Sequence, residues 1–273
     1  MTAERSQTRP EAHPETLADL RREIDRIDET MHRLLMERGA IIDRLVAVKK
    51  TAESGSAFRP GREADMMRRL LARHHGRLPF SAVEHIWRTI IATFTHVQAP
   101  YAVHMDGSGD AAPGEVGAMR DVVRFQTGFD VPLEVHADAR AVAAAVRASA
   151  GDLGFVGLGA VDAPWWDDLG PGEPQIMARL PFLLYEGRPA DLPALVIARP
   201  LGDASVHEEV VVALERDRRP SGEVLAECVT DGRWRGLVAC PPDAVPQGGR
   251  VVGGYALPIE PAAVAGTKEA ARV

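Results

Sequence analysis

Cysteine is nearly absent from this 273-residue chain: Cys228 and Cys240 are the only two. Two thiols without a CxxC pair make no disulfide framework, and they suit a reducing compartment. No run of eighteen apolar residues occurs, which excludes a membrane-spanning helix of ordinary composition. The first fifteen residues, MTAERSQTRPEAHPE, lack the apolar core of a secretory signal and read as a polar tail. No internal repeat and no metal-ligand spacing is visible. His74 and His75 are adjacent at a helix end before Gly76, where the macrodipole accounts for them. A strong basic excess is also missing. Net charge is −7, distributed as +3 over residues 1–100 and −10 over the remainder. That balance argues against a nucleic-acid binder and allows an anionic small molecule in the first part.

What is present begins with one long apolar stripe. Leu17, Leu20, Ile24, Ile27, Met31, Leu34, Leu35, Ile41, Ile42, Leu45 and Val48 recur in steps of mostly three and four. Thr16 and Asp19 form a capping box at its start, and the spacing predicts a helix over 16–52. At 1.5 Å per residue it is about 55 Å long, too long to bury its stripe within a hundred-residue monomer; dimerisation is the simplest cover. Residues 53–60 read as a loop, with Pro60 opening a second helix to about Gly76. Ser81 and Glu84 are spaced as a second capping box for a third helix reaching about Gln98.

Beyond Pro100 strand-like and helical stretches alternate, which predicts an α/β domain with a sheet over 100–260. Strands are expected at YAVHM, PLEVHA, DLGFVGLG, IMARLPFLL, ALVIAR, EVVVALE, GLVACP and VVGGYALP. Helices are expected at EVGAMRDVVRFQTG and ARAVAAAVRASAG, and residues 261–273 read as a tail. Trp165-Trp166 sits in a short helix, more simply as packing than as an aromatic platform for a ligand.

Arg21, Arg38 and Lys49 are spaced along the long helix by 17 and 11 residues. These steps are about 25 Å and 17 Å, so one helix cannot bring all three to one small ligand, whereas an antiparallel partner helix can. Arg22, Arg26, Arg33, Arg44, Arg68 and Arg69 read as solvated or locally paired arginines.

Residues 17–98 resemble the all-helical chorismate mutases. The resemblance is carried by LADLRREIDRIDETMHRLLMERGAIIDRLVAVKK, FRPGREADMMRRL and IWRTIIATFTHVQ. It implies a three-helix domain over 16–99 in an intertwined homodimer. It also implies an active site of Arg21 from the partner chain with Arg38, Lys49, Arg62, Glu63 and Gln98. The substrate implied is chorismate, rearranged to prephenate in a cytoplasmic pathway to phenylalanine and tyrosine, with no cofactor and no metal. Lys49, Gln98 and Arg38 are the expected catalytic residues. Arg59 stands where the family has Asp, and Phe94 stands where it has a carboxylate-binding Ser.

The chemistry fits those residue types. A dianion that rearranges without a nucleophile needs its reactive conformer held and the charge on the breaking ether oxygen stabilised. Guanidinium forks match carboxylates. Lys49 and Gln98 can donate to the ether oxygen, and Glu63 can accept from the substrate hydroxyl.

The C-terminal region more faintly resembles the first lobe of prephenate dehydratase, through VHADARAVAAAVRASAGDLGFVGL and the succeeding strands. The Thr-Arg-Phe motif of that family is absent, and Gly159-Ala160-Val161 stands where it has Asn-Ser. A reduced lobe without dehydratase activity is therefore expected. The stretch EVVVALERDRRPSGEVLAECV is read as a remnant of a regulatory βαβ domain.

Overall fold

The computed structural model describes residues 16–48, 58–107, 113–199 and 207–260. The chain forms two compact units, residues 1–50 and residues 51–273.

The first unit holds helix α1 (Leu17–Val48). The expected capping box is made: Thr16 N–H donates to Asp19 Oδ2 at 3.0 Å, and Asp19 N–H donates to Thr16 Oγ1 at 3.2 Å. Arg22 pairs with Asp19 and Arg26 with Glu23, one turn back. Taken by itself, the helix leaves its apolar stripe exposed from Leu17 to Ile41. Burying such a side chain is worth about 1.5–3 kcal/mol, so this stripe withholds much of the free energy that normally stabilises an amphipathic helix. The expected extension to residue 52 and the loop over 53–57 lie outside the described residues, as does Lys49.

In the second unit, α2 (Pro60–Arg73) starts with Pro in its first turn, where no N–H is missed. It buries Ala64, Met67 and Leu70 on one face. Helix α3 (Phe80–Gln98) buries Val83, Ile91 and Ala92. Of these, all but Ala92 meet Phe182, Leu183 and Ala256 from the sheet connections in one apolar cluster. The Ser81–Glu84 capping box does not form; Pro79 precedes the helix and no side chain caps it. Glu84 is instead fully buried against Arg188, with 2.8 Å between Glu84 Oε1 and an Arg188 guanidinium nitrogen. A buried counter-charge has out-competed a solvent-exposed cap.

The sheet strands are β1 (Val103–Asp106), β2 (Leu133–His136), β3 (Leu153–Gly157), β4 (Gly159–Ala160), β5 (Gln175–Leu180), β6 (Ala194–Ala198), β7 (Glu209–Arg216), β8 (Glu223–Thr230), β9 (Arg233–Cys240) and β10 (Arg250–Tyr255). Their order is β2-β1-β3-β6-β5-β10-β7-β9-β8-β4. Helix α4 (Pro113–Thr127) connects β1 to β2, and α5 (Ala139–Ala148) connects β2 to β3. These βαβ crossovers make β2-β1-β3 parallel. From β3 to β6 and onward pairing is mostly antiparallel, so the region is a mixed-sheet α/β fold.

Alternate residues of β3 and β6 enter different cores. Phe155 and Val196 join α4 residues Val122 and Val123 in one, while Val156, Leu195 and Ile197 join α5 residues Val142 and Val146 in the other. Trp165 and Trp166 form a 3-10 turn and are both buried in the α5 core, edge to face with ring centroids 5.7 Å apart. This agrees with packing. The βαβ reading of residues 209–229 is corrected: the segment is two strands, β7 and β8, which both pair antiparallel with β9. Arg218, Arg219 and Pro220 fall in the turn between them. Gly253 (φ 150°) crosses β5 so closely that a Cβ would overlap the Ile176 backbone.

Candidate functional site

The expected site residues fall in both units. On α1, Arg21 is exposed and Arg38 half-buried. Seventeen residues of helix separate them, about 25 Å, so the straight helix of one chain does not bring the two guanidinium groups to one small ligand.

In the second unit, Arg62 and Glu63 lie in the first turn of α2, and Gln98 is the last residue of α3. Arg62 is exposed and Gln98 half-buried. Glu63 is buried. Arg88 of α3 donates to its Oε2 at 2.8 Å, and Gln126 of α4 donates to the same oxygen at 3.4 Å. Helix periodicity explains the meeting, since Glu63 lies on the buried face of α2 and Arg88 on the buried face of α3. Burial pushes the Glu63 carboxyl above the ordinary carboxylate range, with the Arg88 charge pulling against it. Tyr101, just after α3, has its phenol pushed up by burial and by the negative charge of Glu63.

Glu63, Thr95, Tyr101 and Gln126 supply polar groups to a cavity of about 20 Å³, closed by Phe58, Ile91 and other apolar side chains. That is room for about one water. The cavity offers carboxylate, hydroxyl and amide groups at the foot of α2, one turn before Gln98.

Sequence reading singled out neither Arg88 nor Gln126 as partners of Glu63. Arg88 falls in line with Glu84 and Ile91 along α3, which marks a buried face, but its partner comes from a different helix. Arg68, read as solvated, is corrected: it makes a two-pronged contact with Glu208 at 2.7 and 3.0 Å, tying α2 to the sheet region. Its sequence neighbours gave no sign of a partner 140 residues away. Strand pairing also brings together side chains that no spacing in the sequence had marked. Among the described residues, His104, Glu134 and His136 bring one ligand atom each within 4.8 Å of one another. The available signal was the alternation Glu134-x-His136 in one strand, but its partner depends on strand register.

Comparison with curated proteins gives no match, and comparison with solved structures gives none. A family model does match: residues 20–99, which run from the first turn of α1 to just past Gln98, fit chorismate mutase type II, a family of intramolecular isomerases acting on chorismate.

Proposed function

We propose that the protein is a homodimeric chorismate mutase of the phenylalanine/tyrosine pathway, acting in the cytoplasm without metal or cofactor in its catalytic step. The observation that carries the reading is the family match over 20–99. The functional module is 16–99, and the sheet region from 100 to 260 has a structural or regulatory role without dehydratase activity. The exposed stripe of α1 supports a second chain as its cover. Among the described residues no helix is long and apolar enough to cross a membrane.

In this reading Arg38 and the partner chain's Arg21 bind the two carboxylates as planar forks. Lys49 and Gln98 donate to the ether oxygen as the C–O bond breaks and the new C–C bond forms, stabilising the developing negative charge. Arg62 adds positive potential, and Glu63 accepts from the substrate hydroxyl. No proton need be transferred to protein, because the rearrangement is intramolecular.

The test is loss of chorismate absorbance on adding purified full-length chain, with prephenate identified as product. An unchanged absorbance beside an active control mutase refutes the proposal. Salicylate plus pyruvate formed from isochorismate identifies the related lyase reaction instead.

A second reading rests on Phe94, half-buried in α3 at the position of the family's serine. It makes the module a weak catalyst that binds and regulates another enzyme of aromatic biosynthesis. Activity gained in Phe94→Ser from an inactive parent supports this reading, and a fully active parent excludes it.

A further inference from the structure

The structure assigns a divalent metal site, of zinc-like preference, to His104, Glu134 and His136 at the β1–β2 edge of the sheet. In β1 and β2 alternate side chains share a face. The parallel register sets His104 opposite Glu134 and Asp106 opposite His136. Four ionisable side chains therefore stand on one face of two short strands, while Val103 and Met105 point into the α4 core on the other.

The ligand atoms converge. His104 Nδ1 lies 2.9 Å from His136 Nε2 and 3.5 Å from Glu134 Oε2, and His136 Nε2 lies 4.0 Å from that oxygen. Ligands on a tetrahedral zinc, bonded at 2.0–2.1 Å, are about 3.3 Å apart. The three observed separations bracket that spacing. The side chain of Glu134 is 61% exposed and has freedom to close on an ion. The donor set, two imidazoles and one carboxylate, suits zinc and its first-row neighbours and leaves a fourth position open.

The outer shell is also in place. His104 is buried, and its remaining nitrogen, Nε2, lies 3.2 Å from Asp152 Oδ2. Asp152 is itself fixed, accepting from the Ala102 backbone N–H at 2.8 Å through its other oxygen. A carboxylate that accepts from one imidazole nitrogen sets the tautomer and leaves the other nitrogen's lone pair for a metal. Gly107 permits the close approach of the two strands: its N–H donates to the His136 carbonyl at 2.9 Å, and a Cβ there would overlap the Val135 side chain. β2 is the terminal strand of the sheet and only four residues long. An ion held from both strands would pin that edge. The competing account is a hydrogen bond between two histidines with one shared proton and no metal.

The experiment uses the tag-free full chain, stripped with chelator and titrated with Zn²⁺ by calorimetry and with Co²⁺ by visible absorption. One ion per chain with the intense d–d bands of tetrahedral cobalt is expected, together with a zinc-dependent rise in melting temperature. Asp152→Asn should weaken binding roughly 10–100-fold, and Glu134→Gln, which removes a ligand at an exposed side chain, should weaken it at least as much. His136→Gln should abolish the cobalt bands. His74→Gln/His75→Gln, which alters the surface pair, should bind like the parent. Circular dichroism of each stripped variant establishes that it is folded. No saturable uptake by the parent, or equal uptake by folded His136→Gln, overturns the assignment and leaves the histidine pair as a hydrogen bond only.

Discussion

Replacing Glu63 by Ala would remove the acceptor that holds Arg88. The pair is closed from solvent, with side-chain exposures of 11% for Glu63 and 4% for Arg88. The Arg88 Nε is already buried without a hydrogen-bond partner. Loss of the carboxylate therefore leaves a guanidinium with neither its counter-charge nor the 2.8 Å acceptor, and the Gln126 amide loses its 3.4 Å contact. Breaking a buried pair on one side costs about 3–5 kcal/mol. For a unit of this size each kcal/mol lowers the melting temperature by about 2–4 °C, so the expected drop is roughly 6–20 °C. The decisive control is Glu63→Ala combined with Arg88→Met. With no charge left buried, the double variant should recover to within roughly 1–2 kcal/mol of the parent. Differential scanning calorimetry and urea unfolding measure both. A single variant that costs less than about 1 kcal/mol, or a double variant that costs the sum of its parts, refutes the argument that the unpaired charge dominates. The same variant bears on catalysis. If Glu63 also accepts from the substrate hydroxyl, folded Glu63→Gln should raise KM for chorismate more than it lowers kcat.

Arg38→Ala should lower kcat/KM for chorismate by about 10²–10³ with the circular dichroism of the parent, because one substrate carboxylate loses its charged partner. Retained turnover removes Arg38 from the site. The Arg68–Glu208 contact should make stability depend on pH. Arg68, followed by the backbone N–H of Leu257, holds the Glu208 carboxyl below its ordinary value. The folded pKa is depressed, so its contribution is present above the ordinary glutamate range and is lost as pH falls through the folded pKa. Both side chains are about one-third exposed, so screening keeps the effect near 1 kcal/mol or less. Glu208→Gln should flatten that acid limb in urea titrations, and an unchanged limb would assign it to other groups. Gly253→Ala should unfold or strongly destabilise the sheet unit, because φ is 150° and the added Cβ meets the Ile176 backbone. A melting temperature within 2 °C of the parent, about 1 kcal/mol or less, contradicts that geometry.

The sequence by itself determined the helices and most strands. Local terms decide those: the three-to-four spacing of apolar residues, the Thr16–Asp19 box, Pro60 at a first turn and the β-branched runs of β6 and β7. It also marked α1 as a helix whose stripe needs a cover, because period and length are readable without a partner. It failed where a long-range contact outweighed a local preference. Ser81 and Glu84 have capping spacing, but Glu84 finds Arg188, 104 residues away, and a buried ion pair exceeds an exposed cap. Arg68 was indistinguishable from its solvated neighbours until Glu208 came beside it. Residues 209–229 contain charged residues that suggest a helix between strands, yet their hydrogen bonds are taken by β9. Glu63 was legible as a residue of the first turn of the second helix, but its closure by Arg88 and Gln126 was not. The convergence of His104, Glu134 and His136 was equally hidden. It requires β1 and β2 to lie parallel in one register, and only the packing of two crossover helices on opposite faces of the sheet decides that.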